Sequence, residues 1–572
     1  MTIHNSDIAK MFYTLADLLE IEGANPFRIR AYRRAAEVVE DLPKNAADML
    51  RAGADFEELP GIGEDLAGKM REIIETGHLK ALEEVEARTP STLTALTAVP
   101  GLGPKRIHTL YEKLGIKTLD GLSRAAAAHK IQTLRGFSEQ LETKISNALK
   151  TLRSTETRIR ISTATEIASS LLTYMGDAPG LREVAVAGSY RRCKETVGDL
   201  DILAVGQRPT AIIDYFLTYD EVATVSEKGT TRATVILQSG VQVDLRVVPK
   251  ESFGSALHYF TGSKAHNIAI RKLGQARGLK INEYGVFRGT RRIGGQQERD
   301  VFSAVGLPYI DPELRENRGE IEAAATGQLP KLITIADVRG DLHVHTTASD
   351  GKNDLREMAE AAAQHGYRYL AITDHTKHAT IAHGLDERRL SKQLDQIDRL
   401  NEELDGICIL KSAEVDILAD GSLDLSDRIL NRLDFTVGAV HYKFDLDEKR
   451  QTERILKAMD NRHFTILAHP SGRLLGERTS LSVNLEQVVS GAKERGCFLE
   501  LNAHPARLDL DDVHCKMAKD MGVLVSIATD AHSSIGLDMM RYGIGQARRG
   551  WLEPKDVLNT RPLAVLKRLF RR

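Results

Sequence analysis

The sequence predicts a multidomain chain of α + α/β class, with helical domains at the front, a mixed domain in the middle and a parallel β/α sheet or barrel at the end. Three observations carry this. Residues 1–150 repeat Leu, Ile and Ala at spacings of three and four, interrupted by Gly/Pro turns. From about residue 182 the period shortens to strand-like runs, EVAVAGS, LDILAV, ATVILQSG and VQVDLRVV, with Ser239-Gly240 as a hairpin turn. After residue 339 apolar runs alternate with amphipathic stretches at 353–365, 386–404, 447–461, 484–495 and 511–521, the order of a parallel sheet or barrel.

Composition narrows the setting. A chain of 572 residues is long enough for about three or four domains. Its four cysteines are scattered, with no CxxC pair, which argues against a disulfide framework and fits a reducing cytosol. No apolar run approaches the length of a membrane span, and the opening MTIHNSDIAK lacks the basic-then-apolar order of a signal peptide. The expectation is a cytoplasmic protein without membrane contact. Net charge is −2, and the first 150 residues hold 20 Lys/Arg against 22 Asp/Glu. Any nucleic-acid contact there must come from local geometry rather than bulk charge.

Two front segments share one pattern, LPGIGEDLAGKM (59–70) and VPGLGPKRIHTL (99–110). Gly61 and Gly63, and again Gly101 and Gly103, permit a tight turn into a helix whose first N–H groups can bind phosphate. Lys69 follows the first turn, and Lys105 with Arg106 the second. The bland alternative is a turn that only connects two packed helices; repetition favours phosphate binding. The segments resemble helix-hairpin-helix motifs, which grip the DNA backbone without reading sequence. Gly63 to Lys69 also fits the spacing of a nucleotide P-loop, but Met70 stands where Ser or Thr should follow and no strand precedes it, so that reading is rejected.

The middle carries AVAGSYRRCKETVGDLDIL (185–203). Asp199 and Asp201 are two apart on a strand and share a face. Asp244 lies in VQVDLRVV, a strand that could lie alongside. Three converging carboxylates would hold two Mg²⁺ ions for in-line phosphoryl transfer. Gly188, Ser189 and Arg191/Arg192 supply a turn, a hydroxyl and forked cations suited to a polyphosphate.

Twelve of the 18 histidines lie beyond residue 340, mostly where apolar runs stop: LHVHTTASDG, YLAITDH, ILKSAEVDI, FTVGAVH, FTILAHP and LVSIATDAH. Seven strand runs are expected, with CFLELNAH (497–504) as the seventh. Imidazole and carboxylate at strand ends facing one way are how a barrel builds a metal site for Zn, Mn or Fe. Such a site activates water and neutralises a phosphoester, so phosphoester hydrolysis is expected.

The chain from 1 to about 315 resembles a family X DNA polymerase of the polymerase-beta type, on GSYRR…ETVGDLDIL, Asp244 and YFTGSKAHNIAIR (259–271). The resemblance implies metals on Asp199, Asp201 and Asp244, and a triphosphate on Gly188, Ser189, Arg192 and Gly262. It places Tyr259 and Phe260 against the sugar, and Asn267 and Arg271 near the base pair. Lys69 aligns with the family's Schiff-base lysine for 5′-deoxyribose-phosphate removal, with Asp65 where a supporting Lys is usual. Gln242 replaces an Arg two before the third Asp, and Lys264 replaces an acidic residue. Residues 339 to about 550 resemble the PHP (polymerase and histidinol phosphatase) superfamily, a distorted seven-stranded β/α barrel. Its nine ligand positions carry His343, His345, Asp350, His375, Glu414, His441, His469, Asp530 and His532, implying three ions with Glu414 bridging two. His365, His378, His383, His463, His504 and His514 match no ligand position, and Arg473 and Arg507 could grip a phosphate or stand solvated.

The expected domains are therefore 1–85 (lyase-like, first hairpin), 86–150 (second hairpin), 151–258 (nucleotidyltransferase palm), 259–315 (thumb), 316–338 (linker) and 339–572 (PHP phosphoesterase). The expected protein is a monomeric gap-filling repair polymerase with a metal-dependent 3′–5′ exonuclease, acting on gapped or nicked DNA with dNTPs. Cleavage at apurinic sites or of 3′-phosphates is plausible chemistry for the same metals. The alternatives are a barrel phosphatase for small phosphomonoesters with a DNA-tethering front, and a non-catalytic DNA-binding scaffold.

Overall fold

Apolar residues spaced three and four apart fold the front of the chain into helices, in a computed structural model that describes residues 3–40, 42, 45–59, 61–99, 101–154 and 158–571. Pro60 and Pro100, the prolines of the two Gly-x-Gly segments, lie outside the described residues. The chain forms two compact units, Met1–Thr157 and Arg158–Arg572.

In the first unit, helices Asn5–Ile21 and Pro26–Glu40 pack with Phe12 stacked on Tyr32, ring centroids 6.0 Å apart. The two Gly-x-Gly segments make the same turn. Ile62 N–H donates to the Leu59 carbonyl and Leu102 N–H to the Val99 carbonyl, each at 3.0 Å. Gly61 and Gly101 take φ of 81° and 92°, a conformation that side chains disfavour. Each turn starts a helix, Glu64–Thr76 and Pro104–Leu114.

The second unit begins with a five-stranded sheet in the spatial order 181–186, 199–206, 242–248, 232–237, 222–228. Strands Asp199–Gly206 and Gln242–Val248 run parallel; the other pairings are antiparallel. Alternation of buried and exposed positions along Arg232–Leu237 and Gln242–Val248 lays one face on helices Ile161–Met175 and Pro209–Phe216. Helices Phe253–Thr261 and Lys264–Ala276 follow, then a small antiparallel sheet. Buried Glu298 ties this region to the sheet: Arg191 forks onto it with two bonds of 2.8 Å, and Tyr309 O–H and Arg315 donate to it at 2.9 and 2.5 Å.

The seven strand runs beyond residue 339 pair in parallel in chain order. The run at 409–417 is broken into Cys408–Lys411 and Glu414–Asp416, and the second piece meets the end of its neighbour through a His375–Glu414 bridge. The ring closes where Val344 bridges Ala531, with Asp530 N–H on the His343 carbonyl and His345 N–H on the Ala531 carbonyl, both at 2.9 Å. The expected helical stretches form Leu355–Gln364, Glu387–Glu403, Glu448–Met459, Leu485–Arg495 and Asp512–Met521.

The segment 316–338, expected as a linker free to be rigid or mobile, is docked. Glu320 takes the His266 ring nitrogen at 2.7 Å with both side chains fully buried, Arg318 pairs with Asp512 at 3.0 Å, and Ile333 N–H donates to the Leu552 carbonyl at 3.0 Å. Polar composition suggested a tether; the partners that fix it come from distant sequence. The barrel also reaches into the sheet domain: Leu508, 1% exposed, is part of the core formed by Ile161, Leu171, Val197 and Val243. Truncating a buried Leu costs its transfer energy plus a cavity. Leu508→Ala is therefore expected to lower the unfolding free energy by about 2–4 kcal/mol, read as a shifted midpoint in urea denaturation of the full chain.

Candidate active sites

Asp199 and Asp201 point to one face of their strand, and Asp201 stands opposite Asp244 in the parallel register. Gly188 allows the turn after the first strand to close on them, since a Cβ there would lie 2.6 Å from Asp201 Oδ2. Burial first, then the charges of Asp199 and Asp244, push the Asp201 carboxyl up to about 7. Asp244 is partly relieved: Gln242 Nε2 donates to it at 2.7 Å and Thr234 Oγ1 at 2.5 Å. Gln242, the departure from the family pattern, thus holds the third carboxylate.

A cavity of about 730 Å³ opens beside the pair. Gly188, Ser189, Arg192, Tyr259, Phe260, Gly262, Asn267 and Arg271 all line it, together with Lys264. Arg192 donates to Glu316 at 3.0 Å and to the Thr261 carbonyl at 2.5 Å. Asn267 Nδ2 donates to the Tyr259 carbonyl at 2.7 Å. Asp511, Asp512, Gln546 and Arg549 of the barrel line it too, and no local signal in the sequence could have named them; Arg473, which the sequence singled out, joins them. Arg473 is neither solvated nor at the barrel's own site: it lines this cavity and pairs with Glu195 at 2.7 Å.

In the first unit, Gly61, Gly63, Gly101, Gly103 and Lys105 are exposed, as a backbone-gripping turn requires. Lys69 lines a separate cavity with Arg28, Tyr32 and Gly63 and is ion-paired with Asp65.

All nine expected ligands of the barrel converge. His345, Asp350, His375 and His532 form one group, His343, His345 and Asp530 a second, and His375, Glu414 and His441 a third; within each, ligand atoms lie within 4.8 Å of one another. His469 Nε2 lies 3.1 Å from Glu414. Glu414, 1% exposed, is central, and His469 and Asp530 hold positive φ of 26° and 55°, the kind of backbone strain found at functional sites. Burial opposes charge on both Glu414 and His441. Even so, His375, His441 and His343 hold the Glu414 carboxyl well below its usual range, and Glu414 and Asp416 push His441 up to about 10.

The donor set fits divalent ions. His343 Nε2 and His345 Nδ1 are buried without a hydrogen bond, and His375 Nδ1 faces Glu414 Oε2 at 2.8 Å, each a ligand atom turned inward. The opposite ring nitrogens are fixed from outside: His343 Nδ1 by Glu500 at 2.7 Å, His441 Nδ1 by Asp416 at 3.0 Å and His532 Nδ1 by the Asp530 carbonyl at 2.8 Å. Glu500 and Asp416 were missed in the sequence. Asp416 lies two residues after Glu414, on the same strand face, which is the signal that could have found it. Of the histidines set aside, His365 faces Asp538 at 3.7 Å, His378 packs on Tyr442 and His514 bonds Asp511 at 2.8 Å. Arg507 Nε stands 3.7 Å from the ligand Asp530.

Over its whole length the chain is 38% identical to the DNA polymerase/3′-5′ exonuclease PolX of Bacillus subtilis (strain 168), which it also covers completely. The chain belongs to the family X DNA polymerases. Sequence matches to known families run in the family X order: helix-hairpin-helix domain over 3–79, SAM-like helix-hairpin-helix tandem over 93–151, DNA polymerase beta thumb over 256–316 and PHP domain over 341–504. DNA polymerase lambda of Arabidopsis thaliana is 28% identical over 54% of this chain and 62% of its own length. A probable phosphatase of Thermoanaerobacter sp. (strain X514) is 28% identical over 38% of this chain and 89% of its own. A family X chain with a PHP domain depends on divalent metal and takes DNA and dNTPs as substrates. Among the described residues no helix is long and apolar enough to cross a membrane.

Two outcomes are expected. Glu500→Gln keeps the shape of the side chain but sets an amide N–H against His469 N–H, now bound to Glu500 at 2.6 Å; affinity for Mn²⁺ or Zn²⁺ should fall about 10- to 100-fold in a chelator competition. In metal-free protein, folded Asp201 takes up its proton at about 7, whereas the unfolded side chain does so near pH ~3.9. The ionised carboxylate thus destabilises the fold above that value, and stability is recovered as pH falls. Asp201→Asn should be more stable than the parent in urea at pH 8, and the advantage should shrink as pH falls below about 7 and vanish only near pH ~4.

Proposed function

We propose that this protein fills short gaps in DNA at the Asp199/Asp201/Asp244 site and trims DNA 3′ ends in the barrel. The observation that carries the reading is the presence of both complete constellations, three strand-end carboxylates and nine barrel ligands, in one compact unit. A tethered phosphatase has no use for the first, and a scaffold has no use for either.

In the polymerase site, Asp199, Asp201 and Asp244 hold two Mg²⁺ ions. Ser189, Arg192 and the backbone at Gly188 and Gly262 bind the triphosphate of an incoming dNTP. Tyr259 and Phe260, ring centroids 5.0 Å apart, form the wall beside the sugar, and Asn267 and Arg271 stand by the base. The hairpin turns at Gly61/Gly63 and Gly101/Gly103, with Lys105, hold the phosphate backbone of gapped or nicked DNA.

In the barrel, the nine ligands would hold three divalent ions, Mn²⁺, Zn²⁺ or Fe²⁺, around the central Glu414. Such ions lower the pKa of water and neutralise a phosphodiester. Glu500 and Asp416 orient the imidazoles, and Arg507 meets the phosphate of the 3′ end. The same donor set suits apurinic-site or 3′-phosphate cleavage. Lys69 is the residue for 5′-deoxyribose-phosphate removal, with Asp65 as its ion-pair partner. The protein works as a cytoplasmic monomer in base excision repair.

One gapped, labelled DNA with dNTPs and Mn²⁺ separates the two activities. Asp244→Ala should reduce extension at least about a thousandfold and spare degradation; His343→Ala should do the reverse. Degradation that survives His343→Ala moves the nuclease out of the barrel and sinks this reading.

A further inference from the structure

We propose that Arg549, a side chain of the barrel, is a positioning residue for nucleotide binding at the polymerase site. The proposal rests on the polymerase reading given above. Arg549 ends the helix Met540–Arg549, is 5% exposed and lines the same cavity as Asp199 and Asp201.

Its guanidinium makes three bonds, and two of them go to the machinery around Arg192. Nη1 donates to the Arg192 carbonyl at 2.8 Å and to Glu316 Oε1 at 2.9 Å. Nη2 donates to Asp512 at 2.6 Å, and Asp512 is itself paired with Arg318 at 3.0 Å. Glu316 Oε1 also accepts from Arg192 Nε at 3.0 Å, so one carboxylate oxygen is shared by a palm arginine and a barrel arginine. The helix bearing Arg549 sits close on the turn that follows Arg192: a Cβ on Gly545 would lie 3.1 Å from Cys193 Cβ.

The charge balance gives this arrangement a purpose. Arg192 must turn its positive charge to a triphosphate, yet Glu316 competes for it at the same place. If Arg192 were the only partner of Glu316, an arriving triphosphate would meet a largely buried carboxylate and be repelled by it. Arg549 is the second cation that keeps Glu316 compensated, so Arg192 can be shared with phosphate without leaving a bare negative charge. Its bond to the Arg192 carbonyl fixes the backbone from which that side chain is aimed. A lysine could not reproduce a planar fork that reaches a carbonyl and two carboxylates together.

The test uses the full-length protein on a single-nucleotide gap in Mg²⁺, with dNTP varied, and follows 3′-end degradation in Mn²⁺ alongside. Arg549→Ala should raise the KM for dNTP about tenfold while kcat changes less than about threefold, and degradation should be unchanged. Arg549→Lys should fall between. Adding Glu316→Gln to Arg549→Ala removes the stranded charge and should recover most of the lost KM. An unchanged KM in Arg549→Ala overturns the proposal. So does a parallel loss of extension and degradation that Glu316→Gln does not mend, which would make Arg549 a mere structural clamp. A parent protein that degrades but does not extend removes the polymerase reading itself, and this proposal with it.

Discussion

Desolvation of ionisable groups that the fold forces together is the constraint on which both sites depend. At one, three carboxylates stand on adjacent strands, and burial plus the neighbouring charges make ionisation of Asp201 costly. At the other, imidazole nitrogens crowd inward around the buried Glu414 carboxylate, and His343 Nε2 and His345 Nδ1 have no hydrogen bond. Neither arrangement is favourable by itself. The surrounding fold imposes it, through a parallel register in one case and a closed ring of strands in the other, and divalent cations relieve it.

Much of this was legible in the sequence because it is periodic or local. Strand runs ending in His, Asp or Glu announced the barrel, and a DxD pair two residues apart announced a shared face. The helices of the barrel follow their amphipathic stretches to within a few residues. What was not legible depends on partners far apart in the chain. Glu500 supports both His343 and His469 across the barrel, and Glu316 looked like part of a polar tether although it sits between two arginines 357 residues apart. Residue type alone cannot separate a solvated charge from a paired one, and Arg473 is a case in point: the sequence offered phosphate or solvent, and the fold pairs it with Glu195 in the wall of the neighbouring domain's cavity.

The arginines also show how the two halves of the larger unit are coupled. Arg473 Nε donates at 3.0 Å to the carbonyl of Arg507, whose own side chain faces the metal ligand Asp530. The chain between the polymerase cavity and the barrel's metal ligands is thus short and made of hydrogen-bonded, largely buried groups, and such chains can carry coupling when one end is rearranged.

Leu508 gives that connection an evolutionary edge. The residue before it looks toward one catalytic centre, and it plugs the core behind the other. A barrel lifted out of this chain would carry an apolar plug into water, and the sheet domain left behind would keep the hole. Exchange of whole halves between related genes, which a flexible junction would permit freely, here requires that a loop on one side and a core on the other change hands together.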